Sequence, residues 1–164
     1  MARLTSRGGF FLIFIASAGM MGYAWYAAYV LHLEPCPLCV FQRVGVIAVG
    51  VTALLAGLFN PRRVGKYVWS AVIILAAAAG GSASLRQLWL QSLPPNQVAN
   101  FCGPDLDYML ETLPFLSVLK QVFSGSGECA AIDWRFLGLT MPFWVAVFFI
   151  LVIVSALYLS ALKR

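Results

Sequence analysis

Four long apolar runs punctuate the chain, at Phe10–Leu31, Val40–Phe59, Val68–Leu90 and Leu139–Leu162, with short polar stretches between the first three. Each holds 20 to 24 residues, and about 20 residues of helix cross a bilayer. The first and fourth runs contain no Asp, Glu, Lys or Arg, while the second and third contain one each, Arg43 and Arg86. Lipid offers no partner to backbone polar groups, so a span must satisfy them internally, as a helix or in a closed barrel. The runs lack the strict alternation of a membrane barrel. The pattern predicts an all-α membrane protein, a four-helix transmembrane bundle forming one domain over residues 1–164.

The first run invites comparison with a cleaved signal peptide, since Arg3 and Arg7 precede it and Ala16-Ser17-Ala18 is a small-residue triplet. That triplet lies inside an apolar run longer than the usual 7–15 residues of a signal sequence, so an uncleaved span is expected. Pro61 and Pro94-Pro95 are turn and stop signals. Between the third and fourth runs, Leu106, Met109, Leu110, Leu113, Leu116, Leu119, Val122 and Phe123 recur at helical spacing. One or two short helices on the membrane surface would explain this, as would a small folded cap over the span ends.

Composition sharpens the class. Hydrophobic residues make up 62% of the chain and charged residues 10%, against about 25% charged in soluble domains. With a mean hydropathy of +0.87, a soluble globule and a disordered chain are both excluded. The formal net charge of +5 does not describe a nucleic-acid groove, because no basic stripe interleaves with aromatics. It describes topology instead. Arg3, Arg7, Arg62, Arg63, Lys66, Lys163 and Arg164 flank the runs on one side. All six acids, Glu34, Asp105, Asp107, Glu111, Glu128 and Asp133, fall in the other connections. Lys and Arg in short loops mark the cytoplasmic face. Both termini are therefore expected in the cytoplasm, with a short outward loop at 32–39 and a long one at 91–138.

The four cysteines all fall in the outward loops: Cys36 and Cys39 in the first, Cys102 and Cys129 in the second. On the oxidising side of a bacterial inner membrane, disulfides are permitted. Two structural staples are one reading. Closing the 102–129 loop would contribute roughly 3–4 kcal/mol, but a Cys36–Cys39 ring only about 2. Cys-x-x-Cys suits a pair that switches between dithiol and disulfide, because neighbouring thiols can tune one another. A tetrahedral zinc thiolate site is a third reading, although the second pair lacks Cys-x-x-Cys spacing. A c-type haem is excluded, since Val40 stands where His is needed.

The second run begins near Cys39, so that sulfur is expected at a helix N-terminus, where the dipole favours a thiolate. Arg43 follows four residues on, along the same helix face. An arginine inside a span costs about 3 kcal/mol and marks function, here stabilising the Cys39 thiolate and donating to a carbonyl of a bound acceptor; snorkelling to the interface is the alternative. Arg86 and Gln87 end the third run at the same depth and are candidates for the same pocket. Gly45 and Gly50 lack the strand–turn–helix context of a dinucleotide site, so a lipid-dissolved quinone is the acceptor that elimination leaves.

The stretch Pro35-Cys36-Pro37-Leu38-Cys39-Val40-Phe41-Gln42-Arg43 closely resembles the DsbB family of bacterial disulfide-bond formation proteins. Ser126-Gly127-Glu128-Cys129-Ala130 and the stretch Trp134–Trp144 resemble that family's second loop and the start of its fourth span. The resemblance covers essentially the whole chain, with four spans and the same cysteine order. It implies an inner-membrane enzyme that reoxidises the soluble periplasmic thiol oxidase DsbA and passes two electrons to ubiquinone, or to menaquinone under anaerobic conditions, without a metal. It further implies that Cys102–Cys129 is the disulfide attacked by reduced DsbA. By the same resemblance Cys36–Cys39 delivers the electrons and Arg43 contacts the quinone. One departure stands out: some members have a histidine near the outer end of the third span, where this chain has Gln87, which cannot titrate near neutrality. A vitamin-K-epoxide-reductase-like enzyme has the reverse cysteine order. A paralogue serving a dedicated partner, and a structural or metal-binding membrane protein, complete the alternatives.

Overall fold

The computed structural model describes residues 6–33, 36–59, 63–94, 114, 116–117, 130, 132 and 134–161. Four helices carry the chain: α1 (Ser6–Tyr29), α2 (Pro37–Phe59), α3 (Arg63–Gln91) and α4 (Met141–Ala161). All four are long and apolar enough to cross a membrane, so the all-α four-helix bundle expected from the apolar runs is the observed fold. Cys102, Cys129 and most of the expected surface-helix segment lie outside the described residues, apart from Pro114 and a helical Leu116-Ser117.

The helices do not coincide with the apolar runs, and the reasons are local. α2 starts at Pro37, three residues before the run, because a proline at the first helical position has its φ preset and needs no N–H. The N–H of Val40 donates to the Cys36 carbonyl at 3.1 Å, the first hydrogen bond of the helix. Leu139-Thr140, placed in the fourth span by hydropathy, instead form strand β2, paired antiparallel with β1 (Arg135–Phe136). The turn between them puts Leu137 (φ 52°) and Gly138 (φ 80°) in left-handed conformations, the geometry of a two-residue hairpin turn. At the other end of the first loop, His32 (φ 51°) turns the chain away from α1, and the Leu33 N–H returns to the Ala27 carbonyl at 3.1 Å.

Successive helices pack antiparallel, α1 on α2, α2 on α3 and α3 on α4, while α1 and α4 close the ring along a looser seam. Small residues decide how near the helices come. A Cβ on Gly45 of α2 would lie 2.8 Å from the Gly80 Cα of α3 and 3.2 Å from the Phe149 ring of α4. Three helices therefore meet at one point, with a fully buried phenylalanine filling what the glycines vacate. At the far end Arg7 of α1 donates to the Gly57 carbonyl at 3.1 Å, placing a cation at the C-terminus of α2, where the dipole favours it. Gly9 of α1 meets Leu159 of α4 there as well. Ile15, Leu75, Leu151 and Tyr158 are exposed around the bundle, as a lipid-facing surface requires.

Candidate functional site

At the opposite end from Arg7, the start of α2 meets the ends of α1 and α3 and the start of α4. Cys36 is the capping residue of α2: its carbonyl takes the first helical hydrogen bond, and its Sγ accepts the Cys39 N–H at 3.4 Å. The two sulfurs lie 2.8 Å apart. Cys39 lies in the first turn of α2, at the helix N-terminus as expected from the sequence, and the start at Pro37 makes Cys36 the cap. Cys36 is 9% exposed and packs with Leu38, Ala83 and Leu90; Cys39, Phe41, Leu93 and Ala130 surround that cluster.

Behind the thiols stands α3. The Gln87 Nε2 donates to the Cys39 sulfur at 3.4 Å and the Cys36 sulfur at 3.5 Å, and its Oε1 accepts the Cys39 S–H at 3.5 Å. Gln42 Nε2 donates to the same Oε1 at 2.7 Å. Both amides are buried. Gln42 was not among the residues that sequence reasoning singled out. Its signal was present in the spacing, since it lies three residues after Cys39 and so on the same helix face.

In front of the thiols a cavity of about 210 Å³ lies between α1 and α4. Met20 and Ala24 of α1, Trp144 and Val145 of α4, and Trp134 and Phe136 of the hairpin region form its walls. The hairpin is held over the cavity by a chain of rings. Tyr23 meets Trp134 at 5.9 Å, Trp134 stacks on Phe136 at 5.9 Å, and Phe136 meets Trp144 edge-on at 6.0 Å. α2 contributes Cys39, Gln42 and Arg43, the polar part of an otherwise apolar lining. Arg43 Nη2 also donates to the Ala24 carbonyl of α1 at 3.1 Å, so the guanidinium ties α1 to α2 at cavity depth.

The candidates thus separate. Cys39 and Arg43 share the cavity, Cys36 caps the helix beneath it, and Gln87 touches both sulfurs without lining the cavity. Arg86, expected in the same pocket, is not among its lining residues; its guanidinium lies 4.2 Å from the Trp89 ring centroid. Adjacent positions on a helix point about 100° apart, so Gln87 facing the thiols sends Arg86 to the bundle's outer side. Among the described residues, no three His, Cys, Asp or Glu side chains gather in a metal-ligand cluster. The zinc reading depends on Cys102 and Cys129.

Fold and site together define an integral membrane protein of four helices with a part-buried Cys-x-x-Cys pair, one member of which lines an apolar cavity. The family described as "Disulfide bond formation protein DsbB" matches residues 6–159. Relatives named "Disulfide bond formation protein B" include one from Chromobacterium violaceum, 56% identical over 98% of this chain and 96% of its own. Another, from Marinobacter nauticus, is 50% identical over 94% of this chain and 92% of its own. The chain belongs to the DsbB family, and its general activity is disulfide formation.

Proposed function

We propose that this protein reoxidises a periplasmic DsbA-type thiol oxidase and passes the two electrons to ubiquinone in the bacterial inner membrane. The observation that carries the reading is that Cys39 and Arg43 line one apolar cavity between two membrane-spanning helices. These residues fit a quinone: flat aromatic and apolar walls, one cationic fork of donors for a carbonyl, and one sulfur within the same space. A bound quinone would supply the acceptor for two electrons and two protons. Arg43 orients and polarises that carbonyl, the rings of Trp134, Phe136 and Trp144 exclude water, and Gln87 holds the sulfurs.

Exchange between the loops proceeds by thiolate attack through mixed disulfides. A thiolate of the reduced partner attacks a Cys102–Cys129 disulfide at Cys102, and Cys129 leaves as thiolate. The partner's second thiol then resolves the mixed disulfide, so that its own disulfide forms as Cys102 is released. Cys129 attacks Cys36 of an oxidised Cys36–Cys39 pair and releases Cys39 as thiolate toward the cavity. Cys102 then displaces Cys36 from Cys129, restoring the second-loop disulfide and leaving Cys36 and Cys39 reduced. Ala130, the neighbour of Cys129, packs against the cluster holding Cys36, which supports this order. The basic flanks of the spans support cytoplasmic termini and periplasmic cysteine loops.

The test combines the reconstituted full chain, a reduced DsbA-type partner and ubiquinone, following quinone absorbance and partner disulfide together. Equal amounts of quinone consumed and partner disulfide formed are expected, with turnover lost in Cys102→Ser. Full turnover in that variant, or no quinone consumption by the unaltered chain, overturns the reading.

A further inference from the structure

The thiol pair has a donor whose direction is set by another residue. Gln87 and Gln42 are 4% and 5% exposed, and polar groups buried to that degree are as a rule hydrogen-bonded. A carboxamide can present either its oxygen or its nitrogen to a neighbour, and only the nitrogen side attracts a sulfur anion. Here Gln42 Nε2 occupies the Gln87 oxygen at 2.7 Å, which leaves Gln87 Nε2 toward both sulfurs at nearly equal distance, 3.4 and 3.5 Å. Turning the Gln87 amide over would set two NH2 groups against each other and an oxygen against Cys36, where the nitrogen now stands.

We propose that Gln87 is a catalytic residue of the thiol pair, a fixed neutral donor that holds the sulfur anion on Cys36 once that thiol has lost its proton. Gln42 is the positioning residue that fixes its polarity. The assignment deepens the reading of Cys36–Cys39 as a redox pair, and it moves Gln87 from the acceptor's cavity to the sulfurs. When Cys36 gives its proton to water at the loop side, its sulfur anion accepts from Gln87 Nε2 at 3.5 Å and from the Cys39 N–H at 3.4 Å. Cys39 keeps its proton, and its S–H has the Gln87 oxygen as acceptor at 3.5 Å. A glutamine performs this without changing its own charge, so the support it gives is the same at every pH in the working range. The charged groups on the two packed helices at this depth are Arg43 on α2 and Arg86 on α3.

The test is the rate of Cys36 alkylation against pH in the full-length protein with its cysteines reduced, resolved by peptide mass spectrometry. Neither quinone nor partner is needed, so failure of the electron-transfer reading shows separately, as absent quinone consumption. A hydrogen bond to a charged group carries about a tenfold effect or more. Gln87→Met should therefore slow alkylation at neutral pH about tenfold and move the profile up by about one pH unit. Gln87→Asn, which keeps the amide but shortens its reach, should do nearly the same and serves if the methionine variant fails to fold. Gln42→Met should slow alkylation about threefold, and should add nothing in the Gln87→Met background. A merely structural clamp would lower thermal stability in every variant and leave the profiles superimposed. Superimposed profiles for Gln87→Met or Gln87→Asn overturn the proposal, and additive effects of the two glutamines overturn the role of Gln42.

Discussion

Replacing Gly45 by Ala sets two opposed effects against each other. The new Cβ would stand 2.8 Å from the Gly80 Cα and 3.2 Å from the Phe149 ring, whereas carbon atoms rest at about 3.5–4.0 Å. Neither neighbour can swing aside, since one is backbone and the other is a ring wedged among three helices. α2 and α3 must part by on the order of 1 Å, and overpacking of this kind costs about 1–3 kcal/mol. Against this, Ala gains up to about 1 kcal/mol over Gly in a helix interior. Gly22 of α1 gives the control, because a Cβ there meets nothing within 4 Å. Gly22→Ala should be neutral or stabilising, and Gly45→Ala should fall about 1–3 kcal/mol below it. The separation should also reach the thiols, because Gln42 lies one turn from Gly45 and Gln87 two turns from Gly80 along the same interface. Their 2.7 Å hydrogen bond would stretch beyond the normal range of about 3.2 Å. Detergent-micelle unfolding followed by circular dichroism, with thiol reactivity read in parallel, measures both effects. Equal stability of Gly45→Ala and Gly22→Ala would refute the close-contact argument.

Arg43→Ala removes the cavity's cation, and with it the bond to the Ala24 carbonyl; the apparent KM for ubiquinone should rise about tenfold or more, and an unchanged KM contradicts the assignment. Arg43→Lys should recover only part of the loss, because a point charge does not reproduce a planar fork of donors. Gly138→Ala forces a side chain into a left-handed turn position (φ 80°) at a cost of about 1 kcal/mol; the hairpin over the cavity should loosen, seen as altered tryptophan fluorescence at Trp134 and Trp144.

Much of this molecule is legible along one dimension. Lipid imposes a requirement on each span separately, so apolar length alone located four helices. Residues three or four apart share a helix face whatever the helix packs on, so Arg43 could be placed beside Cys39 from spacing alone. Helix boundaries were less legible: hydropathy reports the solvent around a segment, while Pro37 and the Leu137-Gly138 turn act through backbone geometry. Other features join residues that no local rule connects. Gln42 and Gln87 are 45 residues apart, and their bond exists only because Gly45 and Gly80 let α2 and α3 approach so closely. The cavity exists because α1 and α4 meet less closely than the other neighbours, with the hairpin's rings roofing the gap. Which of Arg86 and Gln87 faces the sulfurs depends on the rotation of α3 about its own axis, and that rotation is set by interlocking side chains across three helix interfaces. An apolar run specifies that a helix crosses the membrane, but its rotation and nearest neighbours are properties of the packed bundle, because in lipid all its apolar faces are equally well solvated.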